Sequence, residues 1–215
     1  MPQITKKIKK QLLFMLLPAF AVLVAAVVAH YILGIAIIQM TRDVATLGNL
    51  HPFSGFISSL GILLWTATTS VCIFTATIIG FKSNDEHFYF IGTAGLITAY
   101  LLFDDLFLFH EFLESWFNNG EKIVYAALAI AVTIWILRFK KAILLTDYYI
   151  LIMALLFLSL SVIVDTIQPF FWEKGNIHAL AEDGFKWIGI VCWFSYFWVT
   201  SLLFIKNLKA NGIKN

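Results

Sequence analysis

The stretch Leu101-Leu102-Phe103-Asp104-Asp105-Leu106-Phe107-Leu108-Phe109-His110-Glu111 sets two adjacent carboxylates, an imidazole and a third acid among leucines and phenylalanines. An acid at bilayer depth costs several kcal/mol unless it is paired, protonated or hydrated. Carboxylates mixed with imidazole suit hard cations such as Ca²⁺, Mg²⁺ or Mn²⁺, and also iron or zinc. Crowding and burial raise carboxyl pKa values, so the same groups can exchange protons near neutral pH. On one continuous helix Asp104 and Glu111 share a face, and Asp105 points about 100° away.

Other polar residues fall at a similar expected depth. His30 lies toward the outer end of a first apolar run, and Ser58 and Ser59 just inside the outer end of a second. Asp165 closes a fifth run, and Glu182 and Asp183 open a sixth. This coincidence predicts a polar cavity open to the outside and sealed toward the cytoplasm. The candidate cation or metal ligands are Asp104, Asp105, His110, Glu111, Asp165, Glu182 and Asp183, supported by His30, Lys186, Ser58 and Ser59. A divalent metal ion is the cofactor such a set implies, and no catalytic residue is singled out. Lys186 stands at i+4 from Glu182, spaced to pair with it on one helix face. Its alternative role is counter-ion to a buried carboxylate. Plainer readings stand beside these: interhelical hydrogen bonds for Asp104, Asp105 and His30, a solvated face for His110 and Glu111, and an exposed outer loop for His178.

The elements that must position these groups follow from composition. Of 215 residues, 60% are hydrophobic and only 13% charged. A soluble domain carries about 25% charged residues. The mean hydropathy of +0.86 points the same way. A soluble enzyme, a disordered chain and a nucleic-acid binder are excluded. A helix crosses the hydrocarbon core in about 20 residues. The expected fold class is an all-α, polytopic membrane bundle of six transmembrane helices within one transmembrane domain, with spans at about 11–40, 54–81, 88–115, 121–139, 145–166 and 182–206. Pro18 is expected to bend the first span. Small residues between Ser54 and Ser70 predict a central second span. The segment Gln168-Pro169-Phe170-Phe171-Trp172 reads as an interfacial anchor or a lid.

With the N-terminus in the cytoplasm, eleven Lys and Arg fall inside, Lys82, Arg138, Lys140, Lys141, Lys206 and Lys214 among them, and four outside, Lys174 and Lys186 among them. The positive-inside rule therefore places both termini in the cytoplasm, in a bacterial-type inner membrane. Acids run the other way, with Asp85 inside and Glu173 outside. Cys72 and Cys192 sit in apolar runs and offer neither a disulfide framework nor a CxxC site. The sequence contains no HExxH, GxSxG, P-loop or potassium-filter signature. The leading functional expectation is an intramembrane acidic site for a cation or proton, in a transporter or channel. A metal-dependent enzyme acting on a lipid or apolar substrate is the alternative, and a non-catalytic scaffold is the third. The expected partners are the lipid bilayer, a cation or proton, and a second copy or membrane partner subunit, with no nucleic acid.

Overall fold

The computed structural model describes residues 2–80, 86–117, 119–171 and 176–212. Lys82, Asp85, Trp172, Glu173, Lys174 and Lys214 lie outside the described residues. From the sequence, 1–215 reads as one transmembrane domain; in the structure the chain divides into two compact units, Met1–Ser54 and Gly55–Asn215.

The first unit holds α1 (Pro2–Leu33), α2 (Ile37–Thr41) and α3 (Val44–Leu47). Pro18 lies within α1. The helix stops at Leu33, short of the expected 40, because Gly34 takes φ +70° and returns its N–H to the His30 carbonyl at 3.1 Å. That is a glycine-based helix ending. The His30 ring completes the turn, with Nδ1 2.9 Å from the Ile35 carbonyl oxygen. Asp43 caps α3, accepting from the Thr46 backbone N–H at 2.7 Å and the Thr46 hydroxyl at 2.8 Å.

The second unit holds α4 (Phe56–Ile79), α5 (Glu86–Phe107), α6 (Phe109–Trp116), α7 (Gly120–Arg138), α8 (Lys140–Leu144), α9 (Tyr148–Phe171) and α10 (Asn176–Gly212). Among the described residues, six helices are long and apolar enough to cross a membrane: Leu16–Leu33, Phe56–Ile79, Glu86–Phe107, Gly120–Arg138, Tyr148–Ile167 and Asn176–Leu208. The all-helical, six-span expectation is therefore met.

Helix α4 packs between α5 and α10, and α10 also carries α9. Small residues permit the close approaches. A Cβ on Gly95 would stand 3.0 Å from the Cys72 Cβ, and one on Gly189 would meet Leu158 Cγ at 2.7 Å. Lipid supplies no hydrophobic drive between helices, so packing and interhelical hydrogen bonds must hold them. Three tryptophans provide such bonds. Trp193 Nε1 donates to the Thr98 hydroxyl at 3.0 Å, Trp135 Nε1 to the Phe90 carbonyl at 3.2 Å, and Trp65 Nε1 to the Asp105 carboxylate at 2.8 Å. The centre is a buried set of rings that includes Trp65, Phe90, Trp135, Trp193, Tyr196 and Phe197. The hydroxyls of Thr66, Thr68, Ser70 and Thr75 bond back to carbonyls of α4 itself.

Alternating helix direction gives this unit two chemically distinct ends. The starts of α4, α7 and α10 and the ends of α5 and α9 share one end, which carries the acids. The other end bears Arg138, Lys140, Lys141 and Lys206, with Glu86 and Asp147.

Candidate acidic site at one end of the bundle

The expected third span, 88–115, is corrected by the structure: it is two helices. Leu108 adopts φ +52°, a left-handed conformation that L-residues pay to enter, and there α5 ends and α6 begins. The break redirects the chain at Leu108. The His110 backbone N–H then donates to Asp104 Oδ1 at 3.1 Å, and His110 Nδ1 lies 2.9 Å from Asp104 Oδ2. Asp104 is buried and thus caps the first turn of α6 while pairing with its imidazole. The hydrogen bond to Asp104 raises the His110 pKa above its ordinary 6.5, against an opposing effect of burial. The same break overturns the expected shared face of Asp104 and Glu111. Glu111 lies in the first turn of α6 and is exposed.

Asp105 faces the neighbouring helices. Lys186 Nζ of α10 donates to its Oδ1 at 2.7 Å, and Trp65 Nε1 of α4 donates to its Oδ2 at 2.8 Å. The Asp105 side chain is 13% exposed and that of Lys186 40%, so the pair sits at a half-open boundary. Lys186 therefore serves as counter-ion to the half-buried Asp105 carboxylate. Glu182 lies 3.6 Å from His178 Nδ1. The expected sixth span also starts earlier than 182. Helix α10 begins at Asn176, so Glu182 and Asp183 lie inside it, and His178 is in its first turn instead of a loop. His178 Nε2 reaches the Val164 carbonyl at 3.3 Å, tying α10 to α9.

A narrow cleft of about 20 Å³ ends on Asp105, with Ser58, Gly61, Asp183, Lys186 and Trp187 in its walls. One water needs about 10–15 Å³ on such a measure. Ser59 is exposed beside it on α4. Asp165 of α9 is half-buried and lies, with Asp104, within electrostatic reach of Tyr125. The Tyr125 hydroxyl donates to Glu121 at 2.9 Å, and its ring lies 5.9 Å from that of His110. His30 belongs to the first unit, where its ring is engaged locally.

Four of the expected ligands thus fall into pairs, Asp104 with His110, Asp105 with Lys186 and Glu182 with His178. Each oxygen of Asp104 and Asp105 faces an N–H donor or a histidine ring nitrogen. Among the described residues no three of His, Cys, Asp and Glu are grouped to hold a metal. Trp65, Glu121 and Tyr125 complete the arrangement without having been singled out by sequence. Glu121 is legible as an acid at the start of a span, but nothing distinguishes Trp65 from the other tryptophans. Chemically the arrangement is a pair of carboxylate–base couples, Asp104 with His110 and Asp105 with Lys186.

The six apolar helices and the paired charges at one end of the bundle define a helical, multi-pass membrane protein. Residues 16–200 match the family described as a domain of unknown function, DUF8692, and the chain belongs to that family. No curated protein and no solved structure matches the chain.

Proposed function

We propose that this protein binds and releases a proton at the Asp105–Lys186 couple, from one side of the membrane only. The observation that carries this reading is the cleft of about 20 Å³, the space of about one water, that Asp105 and Lys186 line together with Ser58 and Asp183. Such a space admits a proton carrier and is too small for a hydrated cation or a lipid headgroup. Both Asp105 oxygens already face donors, which leaves little room for a metal ion to bind there. Beneath the couple, the Trp65, Trp193, Phe197 and Trp135 rings lie 5.1–6.5 Å apart in sequence of contact, which supports a one-sided site over a conduit. With the basic end in the cytoplasm, as the positive-inside rule has it, the couple faces outward.

Infrared difference spectra between acid and neutral pH test this reading. A carboxylic acid C=O band should appear on acidification and vanish in Asp105→Asn. An unchanged band in that variant, or no band at all, contradicts it.

A further inference from the structure

We propose that the groove between α5 and α7 binds an anionic phospholipid of the leaflet at the basic end, with an acyl chain along the groove and the phosphate at Arg138, Lys140 and Lys141. Tyr89, Thr93 and Ile97 line one wall at i, i+4 and i+8 of α5, and Ala131, Ile134 and Trp135 line the other. The groove has a volume of about 520 Å³, within the about 300–1,000 Å³ of small-molecule sites. Two polar groups along its walls are engaged with backbone: the Thr93 hydroxyl donates to the Tyr89 carbonyl at 2.6 Å and the Trp135 indole to the Phe90 carbonyl at 3.2 Å. The walls therefore present hydrocarbon, and hydrocarbon must fill a groove that opens on the bilayer core.

What distinguishes this groove is its end. Arg138 and Phe139 close it, with the guanidinium 5.1 Å from the centre of the Phe139 ring. Lys140 and Lys141 follow at once, both exposed. The acid paired with this cluster is Glu86, 3.2 Å from Arg138, and both of those side chains are exposed, at 46% and 64%. An exposed ion pair is worth little, so a phosphate can displace or join it. Arg138 has five N–H donors in a planar fork suited to two phosphate oxygens. Arg138, Lys140 and Lys141 outnumber the acids of this end, Glu86 and Asp147, and stand where the headgroup of a chain in the groove must lie, which complements an anionic headgroup and not a zwitterionic one. The site stands at the opposite end of the bundle from the Asp105 couple and is independent of it.

Native mass spectrometry tests the proposal, on protein released from bilayers of equal parts phosphatidylglycerol and phosphatidylcholine. The wild type should retain phosphatidylglycerol in preference. Arg138→Gln/Lys140→Gln/Lys141→Gln should lower that preference by about fivefold per charge removed. Ala131→Trp fills the groove at an exposed position, leaves every charge in place, and should also reduce retention. Equal retention of the two lipids by the wild type overturns the proposal. So does full phosphatidylglycerol retention in Ala131→Trp, which would mean diffuse attraction to the basic surface and no groove site.

Discussion

At the scale of residues, the decisive feature is that two neighbouring carboxylates are neutralised by partners from different places. Asp105 takes its partners from α4 and α10, whereas Asp104 takes His110 from just beyond its own helix. Removing one member of such a pair leaves the other poorly solvated. Lys186→Met should therefore lower stability by about 1–3 kcal/mol, and adding Asp105→Asn should restore most of the loss. Thermal unfolding in detergent measures both; a double variant that loses the sum of the single effects contradicts the pairing. The Asp104–His110 pair adds a pH dependence. A raised histidine pKa means that its stabilisation is complete below the unfolded value of 6.5 and is lost as pH rises through the higher folded value. The groups facing His110 are Asp104, Glu121, Lys186 and the Tyr125 ring. Wild-type melting temperature should fall as pH climbs above 6.5, and His110→Asn should flatten that fall. Equal slopes in the two proteins would show that the pair contributes nothing. The acids were legible in sequence because charge among Leu and Phe is conspicuous. Which carboxylate Lys186 would meet was not, because that depends on how α10 and α5 pack against α4 and not on either stretch alone.

At the scale of elements, the spans were legible because length and apolarity are properties of the chain taken one stretch at a time. The break at Leu108 was not, since leucine carries no signal for a left-handed conformation. Leu108→Gly should leave stability unchanged or raise it by up to about 1 kcal/mol, by relieving that backbone. Leu108→Val, β-branched at positive φ, should lose about 1–2 kcal/mol. The reverse order in thermal unfolding would show that the break is not held against a conformational cost. Close packing of α9 on α10 makes a second element-level test. A Cβ at Gly189 meets the Leu158 backbone nitrogen at 2.9 Å as well as its side chain, so a rotamer change alone cannot relieve it. Gly189→Ala should cost about 1–2 kcal/mol net of its gain in helix propensity. A stabilised variant would mean that the two helices separate freely.

At the scale of the whole molecule, charge is sorted between the two ends of the Gly55–Asn215 unit. Arg138, Lys140, Lys141 and Lys206 outnumber Glu86 and Asp147 at one end, most of the acids gather at the other, and packed aromatic rings lie between them. Sorting by end was legible from the loops once the spans were counted. The resolution of the acids into closed pairs was not, because a common depth does not say which side chains point toward one another. The direct test is a pH jump imposed on one side only, in vesicles of known protein orientation, with the Asp105 carboxyl infrared band as the readout. Acidifying the side that bears Asp105 and Lys186 should bring up the band promptly, and acidifying the side that bears Arg138 should leave it unchanged. An equal, rapid response from both sides would contradict a one-sided proton site.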